Sequence, residues 1–419
     1  MVQQQNAAAP AFKDVPAVRL NYRYEADVPA PSGDPNAQPA EERNPGVQSD
    51  FDAGRPQELL DRTLSSPDKR HVLSIYHRIT DVQAEFRLDL YSAEGKLLRK
   101  LTSDGMAVHF PDTIVWSPDS NSLAFVAMTR SSQPEPGVSP TPGLSGISPA
   151  ATPLPQAANT YTAIDNSNAE SASESPAPQP TPAAPTGIMT FRSEQIYMAA
   201  ADGTSVRPIT QNEGLIYFYY TWSPDSTMLA ALASSSREWK YGELMSAAKG
   251  EIMTPQGRLR IIEKNGRERR LDDNMTAVRP VWSSDSTKVA TAFDTQIRVY
   301  DASGTNPTQA AVPLRNQLLI SSQAYDLDQQ RKLQAANENM DANSANATPH
   351  PTEQPLSTLP DEKLLVSYNP IVEIAWPSED LLYLKTAYVK RMQNQADSAM
   401  SFARWHRLVF TLQPAAPAR

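Results

Sequence analysis

The chain has no cysteine among its 419 residues. That removes disulfide scaffolds, Cys-ligated zinc, iron–sulfur clusters and thiol nucleophiles together. It has five histidines, His71, His77, His109, His350 and His406. None stands at the His-x-x-x-His or His-Glu-x-x-His spacing of a zinc helix. Only 16 residues are glycine, and no Gly-rich phosphate loop is among them. No apolar run approaches the 18 or so residues that span a bilayer. A basic excess is missing too: the net charge is −9 and the pI about 5.2, which argues against nucleic acid or an anionic membrane as the main partner. Met1–Ala11 carries neither the basic nor the apolar region of a signal peptide. Mature exported chains often begin with a Gln/Ala/Pro-rich stretch of this kind, so we expect a periplasmic or extracytoplasmic chain, with the cytoplasm as the alternative.

What the chain has is a repeated phrase. Trp-Ser-Pro-Asp-Ser stands at Trp116–Ser120 and Trp222–Ser226 and returns as Trp282-Ser283-Ser284-Asp285-Ser286. Degraded copies are Ser65-Ser66-Pro67-Asp68-Lys69 and Trp376-Pro377-Ser378-Glu379-Asp380. Repetition of this kind marks an array of one supersecondary unit. Short extended segments lead into each phrase, and β-rich runs such as Leu123–Met128 and Val289–Phe293 come after it. Ser-Pro-Asp-Ser suits a tight turn between the two, proline presetting φ at its second position. A second hairpin turns at Glu94-Gly95, Asp202-Gly203, Asn265-Gly266 and Ser303-Gly304, where glycine supplies positive φ. Before the first of these, Phe86, Leu88 and Leu90 alternate with Arg87 and Asp89, which reads as a half-exposed strand. One unit is therefore a four-stranded antiparallel meander, and tandem meanders imply a β-propeller.

The phrase, followed by an Ile-Tyr strand, Asp-Gly and a Leu/Ile-Thr ending, resembles the Trp-Asp-like repeat of TolB-type propellers. The resemblance runs from residue 65 to about residue 410. That family usually has glycine after Pro-Asp, where this chain has Lys69, Ser120, Ser226 and Ser286. We expect an all-β chain: a single propeller of five four-stranded antiparallel blades, with six as the alternative. The last unit lacks an outer strand. Residues 17–25, where Val18, Leu20, Tyr22 and Tyr24 alternate with polar residues, are expected to supply it and close the ring.

The expected organisation is a flexible leader over 1–16, the closing strand over 17–25, a polar linker over 26–58, the propeller over 59–412 and a tail over 413–419. Three insertions interrupt the propeller, at 131–187, 236–256 and 305–362. The first holds 12 of the 37 prolines and no basic residue, and is expected to be disordered or polyproline-like. The second, with Trp239, Tyr241, Leu244 and Met245, is expected to hold a short helix.

No catalytic signal stands out. Gly143-Leu144-Ser145-Gly146 lacks the Gly-x-Ser-x-Gly spacing of a nucleophile elbow. Asp68, Asp119, Asp225 and Asp285 lack the packed alternating donors of a calcium loop and read as turn stabilisers. The candidate ligand or partner surface is aromatic: Tyr217 and Tyr219 in the Tyr217–Tyr220 cluster, and Trp239 and Tyr241 in the second insertion. The bland reading of the Tyr217–Tyr220 cluster is packing between blades. No cofactor, metal or catalytic residue is expected. The resemblance implies a non-enzymatic propeller that binds other proteins or peptides through a face or its channel, as a scaffold or subunit of a cell-envelope or membrane-associated complex. The alternative is a glycan-binding module, or a propeller-type lyase or hydrolase, using the channel.

Overall fold

In the structure the phrase closes a turn in each of its first four copies. In the computed structural model the Ser117 carbonyl accepts from the Ser120 N–H at 2.8 Å, and Asp119 Oδ1 accepts from the Ser117 hydroxyl and from the Asn121 N–H. The Ser–Asp contact recurs at 2.6 Å in Ser66–Asp68, Ser223–Asp225 and Ser283–Asp285. The fourth turn residue takes a left-handed backbone: Lys69, Ser120, Ser226 and Ser286 have φ of 61°, 61°, 62° and 63°. Glycine would suit that position best. Serine stands there because its hydroxyl reaches the preceding repeat. Ser120, Ser226 and Ser286 Oγ accept from the backbone N–H of Asp68, Asp119 and Asp225 at 3.0, 3.0 and 2.9 Å. The indole N–H groups of Trp116, Trp222 and Trp282 likewise donate back to Leu64, Val115 and Thr221 carbonyls. Each of these three phrases thus staples its sheet to the one before.

The staple predicts an ordering of variants. Ser226→Ala strands the Asp119 N–H and keeps a Cβ at positive φ, and should cost about 1–3 kcal/mol. Ser226→Gly loses the same bond but relieves the backbone, so it should cost less. Denaturant unfolding of both checks this; a Ser226→Gly protein more stable than the parent would contradict the staple.

Residues 11–32, 43–81, 84–129, 194–322, 367–390 and 399–412 are described, with isolated residues between 324 and 332. The chain parts into two units, residues 1–130 with 191–419, and residues 131–190. The second unit, and with it the whole 131–187 insertion, lies outside the described residues, as do the leader's first ten residues, the tail and most of the 305–362 insertion.

In chain order, β1 (Leu20–Glu25) and helix α1 (Pro45–Gly54) precede the first full sheet. That sheet is β2 (Glu58–Ser65), β3 (His71–Arg78), β4 (Arg87–Ser92) and β5 (Leu97–Lys100). The second holds β6 (Met106–His109) and β7 (Val115–Trp116), both paired with β8 (Ser122–Thr129), then β9 (Gln195–Ala200) and β10 (Arg207–Pro208). The third is β11 (Leu215–Trp222), β12 (Met228–Ser235), β13 (Arg258–Glu263) and β14 (Glu268–Arg270), with helix α2 (Ser236–Lys249) between β12 and β13. The fourth is β15 (Val281–Trp282), β16 (Lys288–Phe293), β17 (Gln296–Asp301) and β18 (Gln309–Pro313). The last holds β19 (Ser367–Tyr368), β20 (Ile371–Ser378), β21 (Leu381–Lys390) and β22 (Ala399–Leu412). β1 adds to β22, antiparallel, from Leu20–Leu412 to Glu25–Arg407. The fold is mostly β, built from consecutive antiparallel sheets with few helices.

Two expected boundaries change. β18 lies inside the 305–362 stretch read as an insertion, because Gln309–Pro313 has little β-forming character and only Val312 anchors it in the core. The 26–58 stretch read as a linker holds α1. Its cap is legible in hindsight: Asn44 Oδ1 accepts from the Gly46 and Val47 N–H groups, and Pro45 opens the helix. Gly46 rests on the Glu94-Gly95 turn, where a Cβ would meet the Glu94 carbonyl oxygen at 2.6 Å. The expected helix in 236–256 is α2, opened by a Ser235–Glu238 capping box and closed by Gly250 at φ 68°.

Cores form between successive sheets. Leu73, Ile75, Leu88 and Leu90 of the first sheet meet Leu123 and Phe125 of the second. Tyr220, Trp222 and Leu229 of the third meet Ala124 and Val126 of the second. Leu232 and Ile261 meet Trp282 and Val289 of the fourth, and Ala290 and Val299 meet Ile374 and Leu382 of the last. The opposite face of the first sheet packs against α1, through Val47 and Phe51 on Leu60, Val72, Tyr76 and Tyr91.

Candidate functional site

Under the C-terminal end of α1 the first sheet carries charge in its interior. β4 turns Arg87 and Asp89 toward the helix, so this strand is buried on both faces rather than half-exposed as its alternation suggested. Arg55, at the C-terminal end of α1, covers Asp89, while Asp81 and Asp104 hold Arg87. Asp89 is 0% exposed and accepts from Arg55 at 2.7 Å and from the Tyr76 hydroxyl at 3.3 Å. Arg55 also meets Asp50 at 3.1 Å and Glu58 at 3.2 Å. Its guanidinium lies 4.5 Å from the Phe51 ring centre, with Tyr76 and Tyr91 near 5.6 and 5.8 Å. The Tyr91 hydroxyl donates to Asp50 at 2.8 Å. Glu58 continues through Arg78 to Asp104, which also holds Arg87.

Burial pushes the Asp89 carboxyl up from the ordinary aspartate range, against the opposing pull of Arg55. Burial also raises the Tyr76 and Tyr91 hydroxyls, helped by their carboxylate neighbours. Burial is also the largest influence on Arg55 and works against its charge, but the bond to Asp89 and the charges of Asp89 and Asp50 together outweigh it, and the guanidinium holds its proton more firmly than usual. Beside this network opens a cleft of about 520 Å³, lined by Asp50, Gly54, Arg55, Pro56, Gln57, Glu58, Leu97 and Lys100. It offers carboxylate acceptors, cationic donors, one amide that does both, and two apolar contacts from Pro56 and Leu97. Among the described residues no group of three His, Asp or Glu side chains converges to hold a metal.

The aromatic candidates separate. Tyr217 is fully buried, its hydroxyl donating to Glu268, so it belongs to the core and not to a surface. Tyr219 is half-buried under Arg279, 4.8 Å from its guanidinium. Trp239 packs against Phe218 and Phe110 and donates its indole N–H to Glu243. Tyr241 stands on α2 in solvent, 65% exposed, with Leu244 and Met245 beside it at 59% and 41%. The structure therefore does not bring the four together. Sequence reasoning missed Arg55, Asp50 and Asp89 because α1 was not foreseen; the run Asn44-Pro45 ahead of Val47 and Phe51 was the available signal.

A second buried polar group sits in the last sheet. His406 is 0% exposed, with Nδ1 at 2.9 Å from the Tyr24 hydroxyl and Nε2 at 3.1 Å from Thr386. Burial lowers its pKa to about 4, with the Arg404 charge adding to the effect and Asp27 opposing it. The folded pKa lies below the unfolded value of about 6.5, so the unfolded chain takes the proton first. The contribution of His406 is complete above pH ~6.5, and about 3 kcal/mol of it is lost as the pH drops toward 4. Unfolding midpoints across that range should show a loss larger in the parent than in His406→Gln by about this amount, the rest coming from carboxylates such as Glu238 whose pKa is also held low.

No protein-family model matches the chain, and no curated protein sequence matches it. Solved structures do. An oligogalacturonate lyase from Vibrio parahaemolyticus is 11% identical over 61% of this chain and 54% of its own, with a TM-score of 0.31. A putative TolB from Agrobacterium tumefaciens is 16% identical over 60% of this chain and 66% of its own, at 0.27. Prolyl oligopeptidase B from Galerina marginata is 11% identical over 90% of this chain and 40% of its own, at 0.36. The chain thus spans about half the length of the lyase. The similar structures include TolB-like and lyase proteins at low identity. The expectation of a chain without enzymatic activity is corrected by these similarities, because a lyase and peptidases are among the similar structures. At such identities and scores they carry no activity over to this chain.

Proposed function

We propose that the five sheets are the blades of one propeller, and that the cleft at α1 and the first sheet binds a neutral polyhydroxylated ligand, an oligosaccharide. The observation that carries this reading is Arg55, fixed by Asp50, Glu58 and Asp89 at the floor of an open polar cleft. A sugar presents hydroxyls that donate and accept at once, with an apolar ring face between them. The lining answers each: Asp50 and Glu58 accept, Arg55 and Lys100 donate, Gln57 does both, and Leu97 and Pro56 supply apolar contact. The lining charges are balanced, which favours a neutral ligand over an anion. The site lies on the first sheet, in place of the channel expected from the resemblance.

An immobilised array of neutral and acidic oligosaccharides, probed with the full chain and with Lys100→Met, tests this. Binding to neutral members, weakened about tenfold by Lys100→Met, a loss of about 1.4 kcal/mol, is expected. Binding confined to acidic members would overturn the neutral-ligand reading.

A second reading rests on α2. Tyr241, Leu244 and Met245 form an exposed apolar stripe, and Ile252 beyond the helix is 95% exposed. Such a stripe suits a polypeptide partner. Co-purification from native cells that is lost in a Tyr241→Ser/Leu244→Ser protein would support it; an unchanged profile would sink it.

A further inference from the structure

Residues 12–28 dock as one continuous segment, with Phe12, Val15, Ala17 and Leu20 buried in the core shared by the fourth and last sheets. Among the described residues, the hydrogen bonds and ring contacts they make beyond their own segment go to the fourth sheet, the last sheet or the helical turns at 315–322. Phe12 is buried in a socket between Trp376 and Phe410, with ring centres at 5.9 and 6.2 Å. Lys288 closes the socket, its ammonium 4.8 Å from the Phe12 ring and donating to the Phe12 carbonyl at 3.2 Å. The Ala17 N–H donates to Asp301 at 3.0 Å and the Val18 N–H to Thr308 at 3.2 Å. β1 then pairs with β22 over six residues, with Tyr24 bonded to His406. Asp27 accepts both arms of Arg404 at 2.7 and 2.6 Å, and the Val28 N–H donates to Trp405.

The chain resumes its anchorage at Arg43 and Asn44, on the first sheet, through Asp61, Thr63 and Ala93. Between the two anchors lie residues 29–42, which include Pro29, Pro31, Pro35 and Pro39. Fully extended, that length of chain reaches about 50 Å. The acceptor left by removing the segment is specific to it: an aromatic socket, the long strand β22 and the Arg404 fork, each at a fixed spacing. An unpaired β22 edge is also a template that seeks a strand.

We infer that this acceptor also takes residues 12–28 from a second copy of the chain, giving a strand-exchanged dimer. Exchange replaces each docking contact by an identical one, so only the connecting segment and the protein concentration set the balance. The absence of cysteine gives a clean background for testing it. Asn21 and Thr411 are exposed and lie directly opposite each other across β1 and β22. Asn21→Cys and Thr411→Cys proteins are mixed without denaturant at high concentration and treated with a short bis-maleimide. A covalent dimer holding one copy of each is expected, falling severalfold when the mixture is diluted about tenfold before linking. Asn21→Cys mixed with Ile252→Cys should give none. The doubly substituted Asn21→Cys/Thr411→Cys chain, kept dilute, should link within itself and so report that the strand pairs. Monomers alone from the mixture at every concentration would overturn the proposal, as would equal linking to Ile252→Cys or a doubly substituted chain that does not link.

Discussion

Replacing Arg55 by methionine should lower the unfolding free energy by about 3–5 kcal/mol, the cost of leaving a buried charge without its partner. Asp89 has no exposed surface, and without Arg55 its carboxylate keeps the Tyr76 hydroxyl but no guanidinium. Asp50 and Glu58 lose the same cation. The double substitution Arg55→Met/Asp89→Asn should recover much of the loss, because the remaining buried group is then neutral. Denaturant midpoints of the parent, single and double proteins form the cycle. A single substitution within about 0.5 kcal/mol of the parent, the range of an ordinary surface change, would show that α1 does not seal this network.

The second large effect belongs to the phrase. Trp222→Ala should cost about 3–5 kcal/mol, since the ring is buried between the second and third sheets and its indole N–H is bonded to Val115. Trp222→Phe keeps most of the apolar volume and loses the bond, so about 1–2 kcal/mol is expected. Trp376 offers the contrast. Its indole donates to Glu379 within its own turn, and Phe12 packs against its ring. Trp376→Phe should therefore leave coupling between sheets less affected than Trp222→Phe. Urea unfolding with its slope as well as its midpoint separates these cases, because loosened sheets change the surface exposed.

Much of the strand order was legible because two local signals are backbone signals. Gly95, Gly203, Gly266 and Gly304 all sit at positive φ where the second hairpins turn. The Ser-Pro-Asp turns end β2, β7, β11 and β15 where the phrase places them. The pairing of the N-terminal strand with β22 was readable from the alternation of Val18, Leu20, Tyr22 and Tyr24 and the missing partner at the chain's other end, although it begins only at Leu20 because Ala17–Arg19 form a 3-10 turn that leaves Val18 exposed. What escaped was tertiary. Two large apolar residues in ten do not announce a helix, yet Val47 and Phe51 suffice once the first sheet offers Tyr76 and Tyr91. Covering that face turned Asp89 from a solvent-side residue into the centre of a buried network. Serine in the place of glycine looked like a departure from the family pattern; its partner, an N–H in the previous repeat, is invisible from within one repeat. For Tyr217 the packing reading of the Tyr217–Tyr220 cluster is the one that fits, and its place among the surface candidates came from aromatic density, which carries no direction.

Titration calorimetry of the full chain with a short neutral oligosaccharide, beside Lys100→Met and Gln57→Ala, tests the cleft most directly. Saturable binding at one site per chain, weakened about tenfold or more in each variant while their unfolding midpoints stay near the parent's, is the predicted result. Saturable binding that both variants retain in full would contradict it, as would no saturable heat from the folded parent with any neutral oligosaccharide tried.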